Sequence, residues 1–230
     1  MFITIASAGK LLGTGLIYVG LLAVEQGRPP DILEREIPGF EVSSVPMLVA
    51  VSKLRELGVM VSFEEVELDP NRDRIFNERN EPVGVRKLAF SLRLQAKSTR
   101  QILDALVNAD GEYTWKLDTD SGMINIFPKS PVPGQQYAGS VLNWTVDKLD
   151  IKGKGRLAVL QEDLSLKAHN ITLFWRGSYD HYDSPISLNT KSTPVIEILN
   201  KISSAPRQLC WTLAGFKGGR ILTLVPCGPP

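Results

Sequence analysis

The chain has two histidines, His169 and His181, and two cysteines, Cys210 and Cys227, so imidazole or thiol chemistry must run through these four. The densest chemical cluster is Ser178-Tyr-Asp-His-Tyr-Asp-Ser184. Within it Asp180, His181, Tyr182 and Asp183 place carboxylates, an imidazole and a phenol side by side, the groups that general acid–base catalysis uses. Neighbouring residues seldom converge on one point in space, and catalytic triads are assembled from distant segments. No G-x-S-x-G elbow accompanies the cluster. It therefore reads first as a polar connecting loop with a capacity for ligand contact, and only second as the centre of a hydrolase or transferase.

Other candidate chemistries fail on spacing. Asp69-Pro-Asn71-Arg-Asp73 resembles the start of a calcium loop, with oxygen ligands at alternate positions. Arg74 stands where the sharp turn needs glycine, and Asn80 where a bidentate glutamate is needed. Gly153-Lys-Gly155 and Gly218-Gly219 lack the spacing of a phosphate-binding loop. The two cysteines and two histidines show no paired zinc-ligand spacing. Neither a metal nor a cofactor is expected.

The cysteines flank a terminal hairpin, with arms Leu209–Phe216 and Arg220–Val225. A two-residue turn at Gly218-Gly219 sets Lys217 opposite Arg220 and Cys210 opposite Cys227. A turn at Lys217-Gly218 offsets the cysteines by two residues but keeps them on one face. Directly opposed positions bring Cα atoms to about 4.5 Å, within reach of a disulfide. Such a bond forms in an oxidising compartment, so it predicts export.

The elements that position these residues occur twice. Residues 92–128 run through an apolar strand, Ser98-Thr99, a helix pattern (Ile102, Leu103, Leu106), Tyr113-Thr-Trp115-Lys-Leu117 and Ile124-Asn-Ile126. Residues 186–226 repeat the order with Ile186 and Leu188, Ser192-Thr193, Ile196, Leu199 and Ile202, Leu209-Cys-Trp211-Thr-Leu213 and Leu222-Thr-Leu224. Each repeat is preceded by a further strand–helix–strand: Phe40–Val45, the Leu48/Val51/Leu54/Leu57 stripe and Val59–Phe63 in the first. In the second these are Leu142–Val146, the Leu157/Leu160/Leu164/Ala168 stripe and Ile171–Trp175. The fold class is α+β: two tandem β-α-β / β-α-β-β modules, 38–130 and 138–230, with mixed sheets and helices on one face. Lys129-Ser-Pro-Val-Pro-Gly134 reads as the connection between them. Trp115, Trp144, Trp175 and Trp211 all fall in strand patterns, where core packing is the first reading and an interface the second.

Phe90-Ser-Leu-Arg-Leu94, Ser98 to Leu106, Tyr113-Thr-Trp115 and Ile124-Asn-Ile126 together resemble the secretin and TonB short N-terminal domain, and Ile186–Val225 resembles it again. The likeness covers 40–128 and 142–226 and carries no catalytic residue. It implies a cell-envelope location and a protein-interaction role.

The opening of the chain fits that setting. Leu11–Val24 is an uninterrupted apolar stretch behind a single charge, Lys10. It is shorter than the roughly 20 residues of a membrane span. Residues 1–30 read as an export signal or N-terminal anchor with membrane association, in competition with a buried element of the fold. With 26 basic and 25 acidic side chains well mixed, the chain has no dedicated nucleic-acid face. The expected function is non-enzymatic: a periplasmic or envelope module that binds a protein or peptide. The alternatives are the His181-loop enzyme and a cell-wall carbohydrate binder with tryptophans exposed in one groove.

Overall fold

A computed structural model describes residues 31–66, 74–76, 82–85, 88–130, 137, 139–164, 166–175, 184–204, 209–216 and 219–227. Residues 31–230 form one compact unit, distinct from 1–30. Among the described residues no helix is long and apolar enough to cross a membrane.

The first half runs β1 (Glu36–Val45), α1 (Met47–Glu56), β2 (Val61–Glu64), a short hairpin β3 (Arg74–Phe76) and β4 (Pro82–Val85), then β5 (Phe90–Ser98), α2 (Thr99–Ala109), β6 (Tyr113–Asp118) and β7 (Met123–Pro128). The second half runs β8 (Thr145–Gly155), the helical segment α3 (Arg156–Ala158), β9 (Ile171–Trp175), β10 (Pro185–Pro194), α4 (Val195–Ser204), β11 (Leu209–Phe216) and β12 (Gly219–Pro226). The class is α+β with mixed sheets. The expected stripe Leu157, Leu160, Leu164 is buried, but Ala168 is exposed. After α3 the chain widens into a π-helical turn, Val159–Asp163, and resumes as a 3₁₀ turn, Leu166–His169. That break rotates the face, so Leu166 takes the core position.

Each half repeats one set of pairings. β1 lies antiparallel to β5, and β8 to β10. β6–β7 and β11–β12 are antiparallel hairpins, with β2 parallel to β7 and β9 parallel to β12. Trp115 pairs with Ile126 and Trp211 with Leu224. Each indole N–H donates to the polar residue that follows a buried helical leucine: Asp104 at 2.9 Å and Asn200 at 2.9 Å.

Four strands end the same way. Ser44, Ala96, Gly153 and Ser192 adopt φ of 51°, 46°, 62° and 49°, each three residues ahead of a helix. At Ser44 and Gly153 the left-handed residue coincides with a register shift, a bulge that bends the strand, whereas at Ala96 and Ser192 the pairing runs on in register. Only Gly153 adopts the left-handed conformation without the strain a Cβ brings. Ser98 then closes a reciprocal capping box with Gln101 at the start of α2.

The halves share one six-stranded sheet, β6-β7-β2-β11-β12-β9, joined where β2 and β11 run parallel. β7, β2 and β11 point one way, so β11 is reversed relative to its counterpart β6. The two halves are therefore related by a half-turn about a line across the strands, combined with a shift along it. That operation puts their helices on opposite faces. Phe63, Ile124 and Ile126 face the core with Leu54, Leu103 and Leu106. Phe127, which alternates with Ile126, joins Leu199, Trp211 and Leu213 in the other core.

Leu103 and Leu199 occupy corresponding sites in the two cores, and both are fully buried. Leu103→Ala and Leu199→Ala each lose about 2–5 kcal/mol in chemical denaturation. A loss in only one of them breaks the structural equivalence of the halves.

Candidate functional site

The join between β2 and β11 shows how this chain satisfies a sheet edge. Thr212 lies opposite Phe63 and Leu213 opposite Glu64. The Glu65 N–H donates to the Leu213 carbonyl at 2.8 Å, and the Trp211 N–H to Ser62 Oγ at 3.2 Å. Arg55, on the last turn of α1, donates through Nε to the Val61 carbonyl at 2.7 Å and through Nη2 to the Trp211 carbonyl at 2.9 Å. Burial lowers the Arg55 pKa to about 10, still high enough to keep the guanidinium charged. Trp211 is sealed from solvent.

Polar side chains also bridge the halves on the opposite face, the one that Trp211 covers. Asn200 donates through Nδ2 to Asp118 Oδ2 at 3.0 Å and accepts from the Trp211 indole. Asp118 is fixed in turn by Ser121 Oγ at 2.8 Å and the Asp120 N–H at 3.1 Å. Glu64 is fully buried. It accepts from the Ser140 hydroxyl and, at 2.7 Å, from the Val141 N–H, with Arg220 Nη1 4.0 Å away. The connecting segment passes so close to Pro128 that a Cβ on Gly139 would collide with its carbonyl.

The two outer strands present the same kind of edge without a neighbour. The Lys129 N–H donates to the Glu112 carbonyl at 2.8 Å, and this sets the ladder phase of β6. Trp115 and Leu117 consequently turn their N–H and C=O groups outward. At the other end the Arg220 N–H donates to the Asn170 carbonyl at 3.0 Å. Thr172 and Phe174 therefore turn their main chains toward β12, while those of Leu173 and Trp175 face outward. The Phe174 side chain is 51 % exposed. Among the described residues neither β6 nor β9 has a second strand beside it.

The sequence candidates divide between what is described and what is not. Asp180, His181, Tyr182 and Asp183 lie outside the described residues, as do Asp69 to Asp73 and the Trp175 side chain. Trp211 is core; Trp115 is half-buried against its own core, with the Arg100 guanidinium 6.0 Å from its ring. Trp144 stacks on His169 with ring centroids 3.8 Å apart. Cys210 and Cys227 are bonded, their Cα atoms 5.3 Å apart. Phe216 pairs with Gly219 and Cys210 with Val225, so the hairpin takes the offset register and Cys227 reaches back from beyond the strand. Among the described residues no three His, Cys, Asp or Glu side chains are grouped to hold a metal ion.

Arg55 and Glu64 were not singled out from sequence. Arg55 looks like an ordinary basic residue closing a helix, and Glu64 precedes another glutamate in a strand end. The indole bonds left a detectable trace: Asp104 and Asn200 both stand eleven residues ahead of a repeated tryptophan. Comparison with protein-family models, curated proteins and solved structures returns no match.

Burial raises the Glu64 carboxyl above its ordinary value of 4.5, against the opposing pull of Ser140, Val141 and Arg220. The folded state then holds a proton that the unfolded chain has already released, so this group costs stability as pH climbs. Glu64→Gln gains stability relative to wild type as pH rises above the ordinary carboxyl value of 4.5, read from denaturation midpoints. A pH-independent difference would mean Glu64 titrates normally.

The disulfide closes a separation of 17 residues. It contributes about 3 kcal/mol in the chain-entropy model. Titration of unreduced protein should find no free thiol; two thiols would remove both the bond and the case for an oxidising compartment.

Proposed function

We propose that the protein is a non-enzymatic interaction module of the cell envelope that captures a protein or peptide by strand addition at the edge of its sheet. The observation that carries this reading is β9, whose outward main chain adjoins a half-exposed phenylalanine. An unpaired strand offers a row of donors and acceptors, and an adjacent apolar side chain adds affinity and register. The resemblance to secretin and TonB short N-terminal domains supports an envelope setting. The Cys210–Cys227 bond is in keeping with export, for which residues 1–30 would serve as signal or anchor.

Capture from envelope extract on immobilised full-length chain tests the reading. Wild type and His181→Ala retain the same protein partners, while Phe174→Glu loses them. If His181→Ala instead abolishes a measured turnover without unfolding the chain, the hydrolase or transferase reading replaces this one.

A further inference from the structure

The half-turn and shift that relate β2 to β11 do not end at the second half. Applied once more, they carry β9 to a place where the next strand is a β6. Trp115 corresponds to Trp211, so Ile126 corresponds to Leu224. Phe63 pairs with Ile126 and Trp175 with Leu224, so Trp175 corresponds to Phe63 and Phe174 to Ser62. The inner edge of β2 and the outer edge of β9 are the same edge of the repeated unit, and β11 and β6 are likewise its opposite edge. Within the chain these two edges bond in parallel. Among the described residues each stands without the other at the ends of the sheet.

We propose that the occupant of these edges is a second copy of this chain, with β9 of one copy added in parallel to β6 of the next. The inference rests on the strand-addition reading and names its partner. In that pairing the Trp175 main chain bonds between Trp115 and Leu117 of the next copy, as Phe63 does between Trp211 and Leu213.

The side chains at the two edges complement each other. Ser62 stands beside Trp211 at the inner join, and that indole is fully buried. At the outer join Phe174 takes the place of Ser62, against a Trp115 that is only half-buried in its own chain. Two incompletely covered aromatic side chains come together, the kind of contact that anchors an interface. Lys116 lies opposite Trp175 in this register. Its ammonium sits 4.7 Å over the Tyr137 ring of its own chain, so it does not project from the edge as a blocking charge. Lys167, four residues ahead of Ile171 as Arg55 is four ahead of Val59, occupies the position in the repeat that corresponds to Arg55.

The contact is heterologous, because different surfaces of each copy meet. Two applications of the half-turn leave a plain translation, so the series does not close on itself as a two-fold dimer does. It grows as an open chain of dimers, trimers and longer species.

Sedimentation velocity on the full-length chain across a wide concentration range tests this. Wild type gives a ladder of species that lengthens with concentration. Phe174→Glu weakens the ladder about tenfold or more, the loss that accompanies leaving one aromatic side chain out of an interface, and Phe174→Leu weakens it less. Both variants keep the wild-type thermal transition, since Phe174 is solvent-facing.

Three results would overturn the proposal. Assembly that stops at a dimer means that like edges pair with like. A ladder unchanged by Phe174→Glu places association elsewhere, the apolar N-terminal stretch included. A wild type that stays monomeric excludes the second copy. If Phe174→Glu nevertheless loses its partners in extract capture, the edge takes a foreign strand, and the interaction reading survives without this one.

Discussion

Backbone groups at a sheet edge must find partners when they are buried, and the join of β2 to β11 is where this chain meets that requirement between its halves. Few ladder bonds cross there, so the side chains of Arg55 and Ser62 complete the pairing of Trp211. A charged guanidinium in a buried position is costly unless its donors are satisfied. Here two of them meet carbonyls, one on each side of the join. The same side chain therefore ties the end of α1 to both strands of the join and fixes the register of the second half against the first.

The rest of the arrangement follows from that register. Because β11 runs parallel to β2, the second half is turned over relative to the first, and each half covers a different face of the sheet. Strands of the first half then have a core on both sides. Ile126 faces one core and Phe127 the other. The polar chain Asp118–Asn200–Trp211 sits on the second of those faces, where Asn200 of α4 reaches Asp118 at the end of β6. Asp104 makes the same indole bond in the first half, but at an exposed site. Equivalent bonds in the two repeats thus lie in different surroundings, one sealed by the neighbouring half and one open.

Among the described residues the ends of the sheet also differ from its middle, because no strand lies beside them. A two-unit array has one inner join and two outer edges, and the outer edges carry the same main-chain geometry as the inner one. Natural sheets usually block such edges with charge, bulges or covering segments. In β9 the edge instead carries an exposed phenylalanine, and in β6 the one lysine is drawn over Tyr137.

Local pattern determined much of this protein. The alternation of Tyr113, Trp115 and Leu117, the helical spacing of Ile102, Leu103 and Leu106, and their echo at 195–213 specify strands, helices and the duplication, because side-chain period depends only on neighbouring residues. Same-face placement of Cys210 and Cys227 was legible for the same reason. The exact hairpin register was not, since two turn positions fit one sequence and packing chose the offset one. The left-handed residues Ser44, Ala96 and Ser192 have no sequence mark, as serine and alanine adopt that conformation only under tertiary constraint. Nor could the sequence show that both halves share one sheet, that their helices take opposite faces, or that Arg55 and Glu64 are buried. Each depends on which edge meets which across more than a hundred residues, and that is decided by long-range pairing of backbone groups common to every residue.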